Sequence, residues 1–280
     1  MVEHLRIPTG IGTFDALAAG PADGRPVLLL HGFPQSAAQW EYQLGALGFG
    51  DCRAVAPHQR GYSPDARPTA VADYALDELV GDVLAIADEL GWARFDLVGH
   101  DWGAGVAWAT AAAHPARVRT LTAVSVPHPT ALAQAIRSDE DQIQRSAYIH
   151  LFRQAGVAER RLLADDGEPL RMLFDRKVTR DRVEGYVTRL LEPGALTAAL
   201  NWYRANKLST MEVEPVAVPT LYVWGAEDVA VGSTAALATE KYVTGPYRFE
   251  ILQDVSHWVI DEVGGAFTPL LLRHLLDYDE

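Results

Sequence analysis

The sequence predicts an α/β fold: a mostly parallel sheet flanked by helices, with a helical segment inserted late in the chain. Three observations predict it. Short apolar runs at 27–30, 52–56 and 95–98 each end in a turn rich in Gly, Pro or polar residues, as strands buried on both faces do. Helical periodicity at 74–90 lies between the second and third of them, and strand and helix in alternation build a parallel sheet. The strand signal vanishes from 130 to 213 and then resumes, so residues 1–129 and 214–280 read as two parts of one core and 130–213 as a helical cap.

Taken in order, residues 5–18 hold two short alternating runs around Pro8 and Gly10, an edge hairpin. The strand at 27–30 runs straight into His31-Gly32-Phe33-Pro34, a polar turn where open α/β sheets place their sites. The strand at 52–56 leads into a loop of turn formers, in which Arg60 is placed to brace its surroundings. Residues 74–90 carry Leu76, Leu79, Val80, Val83, Leu84, Ile86, Ala87 and Leu90 at helical spacing, closed by Gly91. The strand at 95–98 must become the Ala-rich helix at 106–113 through Gly99-His100-Asp101-Trp102-Gly103, almost without a loop. Another strand, 121–126, ends at Pro127-His128-Pro129. The helical stretch that follows is broken at Asp165-Asp166-Gly167 and at Pro193-Gly194, before strands at 219–224 and 248–252 lead to Asp228 and His257.

Composition excludes several classes. The chain has 280 residues, 49% hydrophobic and 22% charged, enough for one large domain with an insertion. A net charge of -13 without a basic cluster excludes nucleic acid and anionic membranes as expected partners. Cys52 is the only cysteine, so an internal disulfide is impossible and the residue reads as a packing group. His100, His114 and His128 read as structural; no cluster has metal-ligand spacing, and neither metal nor cofactor is expected. The opening residues lack a basic segment followed by an apolar core, and no apolar run nears the roughly 20 residues of a membrane span. The expectation is a cytoplasmic enzyme, monomer or homodimer.

Asp101 is the residue around which the chemistry is organised. A glycine on either side lets the backbone turn sharply and present the side chain at the start of a helix. A carboxylate with a pKa of roughly 4 is already anionic at neutral pH and needs no base to activate it. Its attack on an ester would give an anhydride, whereas attack on a saturated carbon bearing a leaving group gives an alkyl ester, so displacement at carbon is the expected chemistry. The plainer reading is that Asp101 only caps the helix. Asp101, Asp228 and His257 follow in the order nucleophile, acid, histidine, each just beyond a strand, so that His257, oriented by Asp228, can take a proton from water. The amides of Phe33 and Trp102 are the candidate oxyanion donors. His31, Pro34, Trp40, Trp202 and Trp258 are candidate pocket residues.

Across nearly its whole length the chain resembles the α/β hydrolase superfamily. Its His-Gly-Phe-Pro, Arg-Gly-Tyr-Ser, Gly-His-Asp-Trp-Gly and Ser-His-Trp segments resemble soluble epoxide hydrolases. Leu200-Asn201-Trp202-Tyr203-Arg204 is similar to the family's lid motif, whose tyrosine donates to the epoxide oxygen, and Tyr148 matches the place of the second tyrosine. The chain departs from the pattern at Ala155, where proline is expected, and at His58-Gln59, where an Asp-containing pair is usual. The resemblance implies hydrolysis of a hydrophobic epoxide by water to a vicinal diol through an Asp101 ester. Haloalkane and haloacid dehalogenases share the elbow and remain the alternative, although an epoxide opens to an alkoxide that a phenol can protonate and a halide needs no such proton. Fluoroacetate-type enzymes usually place Arg where Trp102 stands. A receptor built on the same scaffold is the reading outside catalysis.

Overall fold

The computed structural model describes residues 1–278. Strands β1 (Glu3–Thr9) and β2 (Gly12–Ala19) form the expected hairpin, joined antiparallel with Ile7 opposite Phe14. There follow β3 (Arg25–Leu30), α1 (Glu41–Phe49), β4 (Cys52–Pro57), α2 (Leu76–Glu89), β5 (Phe95–His100), α3 (Trp102–Ala113) and β6 (Val118–Val124). The next stretch is helical: α4 (Pro129–Ser138), α5 (Glu140–Arg145), α6 (Tyr148–Phe152), α7 (Val157–Leu162), α8 (Ala164–Met172), α9 (Arg180–Leu190) and α10 (Ala195–Ala205). The chain then resumes with β7 (Thr220–Gly225), α11 (Ser233–Ala238), β8 (Tyr247–Leu252) and α12 (Val259–Leu276).

The eight strands form one sheet in the order β1-β2-β4-β3-β5-β6-β7-β8, parallel from β4 to β8. Alternation along β3 shows why both faces are covered. Leu28 and Leu30 enter one core with Phe14, Leu97 and Trp108, while Val27 and Leu29 enter the other with Trp40, Leu44 and Phe267. Burying both faces removes the polar alternation of a solvated strand, which is why these strands read as continuous apolar runs. Helix α3 is buried almost all round, its first ten residues lying inside the protein, as its lack of a polar face requires. The break expected at Asp165-Asp166-Gly167 is real: all three have positive φ inside α8.

Arg60 clamps its loop to α2 through both oxygens of Asp82, at 2.6 and 2.7 Å, and through the carbonyl of Asp73. Cys52 is buried, as a packing group would be. Among the described residues no helix is long and apolar enough to cross a membrane, and no cluster of His, Cys, Asp and Glu has the arrangement to hold a metal ion.

Candidate active site

The parallel strands deliver their functional residues to one end. Asp101 follows β5, Asp228 follows β7 and His257 follows β8, at the carboxyl edge where a doubly covered sheet leaves room for a site. At the elbow Asp101 takes φ 52° and ψ −122°, a conformation L side chains rarely adopt. Two glycines make the turn possible: a Cβ on Gly99 would lie 2.2 Å from the Gly103 carbonyl oxygen, and one on Gly103 2.2 Å from that of Leu30. The amide of Gly105 donates to the Asp101 carbonyl at 3.1 Å, so the strained residue opens α3 directly and caps it with its backbone. Its side chain makes no capping bond. The carboxylate is thus not the side-chain cap that the plainer reading of the sequence would make it.

One carboxylate oxygen, Oδ1, accepts from the Phe33 amide at 2.8 Å, and the Trp102 amide also interacts with the carboxylate. The other, Oδ2, stands 3.3 Å from His257 Nε2. On its far side the His257 ring donates from Nδ1 to Asp228 Oδ2 at 2.8 Å, and Asp228 Oδ1 accepts from the amides of Ala230 and Val231 at 2.8 and 2.9 Å. His257 is fastened through its backbone as well, its carbonyl taking bonds from Ser125 Oγ at 2.7 Å and His100 Nε2 at 2.9 Å.

Charge in this buried cluster is set by competition. Burial opposes ionisation of Asp101, yet the hydrogen bond and charge of His257 hold its pKa below the usual carboxylate value. Burial likewise opposes the imidazolium, but Asp228 and Asp101, one on each side, raise His257 to about 10. The balance favours an ionised Asp101 beside a protonated His257.

Above Asp101 lie two lobes that share part of their walls. Both are bordered by Asp101, His257, Tyr148, Tyr203 and Ala230. The first is otherwise largely aliphatic, with Val126, Leu132, Ile136, Ile149, Leu208 and Met211. The second is more aromatic, with Phe33, Phe152 and Trp258 beside Pro34, Leu173 and Val229. The tyrosines come from the helical stretch between β6 and β7, Tyr148 opening α6 and Tyr203 near the end of α10. Their rings meet edge to face at 6.3 Å. Burial and nearby negative charge raise the Tyr203 phenol well above 10, whereas Tyr148 keeps more than a third of its surface exposed; at neutral pH both are protonated donors.

Three candidate pocket residues sit elsewhere. Trp40 packs on Phe267 in the core on the opposite face of the sheet, because α1 and the turn before it cover that face. His31 is completely buried against the loop after β4, where Nε2 accepts from the Gln59 amide at 3.1 Å and burial lowers its pKa to about 3. Trp202 donates to the Arg60 carbonyl at 3.0 Å and stands behind Trp102, propping the wall from outside the cavity. Conversely, the sequence reading named none of the aliphatic residues of the first lobe. Their letters are those of any packed helix, and only the shared cavity distinguishes them.

The alpha/beta hydrolase fold family model matches residues 25–262. A Bacillus subtilis AB hydrolase superfamily protein is 32% identical over 94% of each chain, and mouse epoxide hydrolase 4 is 33% identical over 91% of this chain and 74% of its own. The chain belongs to the α/β hydrolase family, among its epoxide hydrolases. Within that family it is also 30% identical, over 92% of each chain, to epoxide hydrolase A of Mycobacterium tuberculosis. The crystal structure of a Bacillus megaterium epoxide hydrolase with an inhibitor superimposes with a TM-score of 0.88 at 26% identity, over 97% of this chain and 99% of that one.

Proposed function

We propose that this α/β hydrolase opens a hydrophobic epoxide and hydrolyses it to a vicinal diol, with residues 130–213 acting as the lid that carries the proton donors. The observation that carries this reading is the convergence of two protonated lid tyrosines on the cavity above Asp101. Asp101 Oδ1 keeps its backbone donors, which leaves Oδ2 to attack a ring carbon from the face opposite the breaking C–O bond. The departing oxygen takes its proton from Tyr148 or Tyr203, and the product is an alkyl ester of Asp101.

Esterification also switches the base on. It removes the Asp101 charge that helps hold a proton on His257, so the imidazolium's pKa falls, its proton leaves and makes good the one the phenol gave up, and the neutral imidazole can accept a proton from water. Hydroxide adds to the ester carbon, the oxyanion forms on Oδ1 beside the Phe33 and Trp102 amides, and collapse releases the diol. Asp101 keeps one oxygen from water. A dehalogenase would use the same first half, with Trp102 beside the nucleophile to hold a halide, but it would not need the two phenols that line both lobes.

The test is a single turnover in ¹⁸O water with aryl and alkyl epoxides beside haloalkanes and haloacids, and with Asp101→Asn as control. Unlabelled diol with ¹⁸O in the Asp101 peptide is the expected result. Halide release with the same label would make the protein a dehalogenase, and binding without turnover would favour a receptor.

A further inference from the structure

The loop that carries Asp228 does more than present a carboxylate. Its amides at Ala230 and Val231 hold Asp228 Oδ1, so the direction of the acid depends on the shape of the loop. That shape is fixed from the insertion. Gln142, completely buried on α5, donates from Nε2 to the Ala230 carbonyl at 2.9 Å and accepts from the Gly232 amide at 2.8 Å. Its second N–H reaches Ser146 Oγ at 3.0 Å, and Ser146 lines the first lobe. A carbonyl needs a donor and an amide an acceptor, so the side-chain amide fits only one way round.

Two neighbours make the contact intimate. Arg145 donates to the Asp228 carbonyl at 2.5 Å. A Cβ on Gly232 would lie 2.8 Å from the Asp141 carboxylate, so α5 and the loop are in close contact there.

We propose that Gln142 is a positioning residue that joins the lid to the hydrolysis half of the reaction by holding the 228–232 loop, and through it Asp228, in line with His257. The proposal rests on Asp228 and His257 being the pair that activates water. Gln142 touches no reacting atom. Ring opening needs Asp101 and a phenol, whereas only the second step needs His257 correctly oriented as a base. Loosening the loop should therefore slow the second step selectively.

Gln142→Met keeps length and volume but leaves the Ala230 carbonyl and the Gly232 amide without their partner. Rapid-quench single turnovers with an epoxide, followed by intact mass, separate ester formation from ester hydrolysis. The expected result is hydrolysis about tenfold slower, accumulated ester, and ring opening within about twofold of wild type. If Gln142→Met fails to fold, Arg145→Met probes the same loop from a half-exposed position and should shift in the same direction. Equal slowing of both steps, or an unchanged hydrolysis rate, overturns the proposal. A second readout needs no turnover: the His257 imidazole, titrated by ¹⁵N NMR, should lose its proton at lower pH in the variant. An unchanged titration removes Gln142 from this role even if the substrate proves to be something other than an epoxide.

Discussion

Asp101 and His257 control each other's charge, and the reaction uses that coupling. Asp101→Asn is neutral and nearly isosteric, so it imitates the charge of the esterified state. NMR titration should show His257 falling from about 10 toward an ordinary histidine value in this variant, since one of its two carboxylates is gone. A pKa still near 10 would mean that Asp228 alone sustains the imidazolium and that esterification does not release the base. The tyrosines make a second prediction. Acid assistance is worth about 10²- to 10⁴-fold, and two phenols can share it, so Tyr148→Phe or Tyr203→Phe should each slow ring opening moderately and the double variant much more. Stopped-flow alkylation rates check this, and an undiminished rate in the double variant would take both residues out of the mechanism. Because burial keeps the Tyr203 phenol protonated, ring opening in Tyr148→Phe, which relies on Tyr203 alone, should show no loss from tyrosine ionisation near pH 10.

At the level of elements, the turn from β5 to α3 tolerates no side chain at Gly103. Its Cβ would meet the Leu30 backbone rather than a movable side chain, so Gly103→Ala should cost about 3 kcal/mol or more in urea unfolding. The two lobes respond to bulk on different helices. Ile136→Trp on α4 fills the aliphatic lobe and Leu173→Trp, just after α8, fills the aromatic one. Each should lower kcat/KM about tenfold or more for epoxides with an arm in its own lobe and spare those without; assays on one-armed and two-armed epoxides compare them. The strands were legible because burial on both faces turns them into plain apolar runs, and Asp101, Asp228 and His257 because each stands where such a run stops. Trp40 was misplaced because its letter does not say which face of the sheet its helix covers. Helix α1 carries Gly45 and Gly48 and little amphipathic pattern, and it was not singled out at all. Gln142 was illegible for another reason: its partners lie 88 and 90 residues away.

Over the whole molecule, stability should peak near neutral pH. Burial holds His31, His58, His100, His128 and His274 neutral, with pKa values lowered to between about 2 and about 4. A depressed folded pKa stabilises fully above the unfolded value of roughly 6.5, and that contribution is lost as pH falls toward the folded value. His257 has the opposite sign: raised to about 10, it stabilises fully below roughly 6.5 and its contribution is lost as pH rises through 10. Five groups against one decide the acid side. Melting temperature should drop steadily from pH 6.5 to 4, while the smaller alkaline decline should shrink in His257→Gln; calorimetry across pH 4–10 reads both.

The walls of the cavity differ in what else they carry. Val229, Ala230 and Val231 border the lobes from the very loop that holds the acid, whereas Leu132, Ile136, Leu208 and Met211 come from segments that contribute nothing to the nucleophile, acid or histidine. Descendants of this chain can therefore acquire a taste for new molecules through the second group while their reaction stays intact. Change in the first group puts appetite and chemistry at risk together, and variation among living relatives should be correspondingly lopsided.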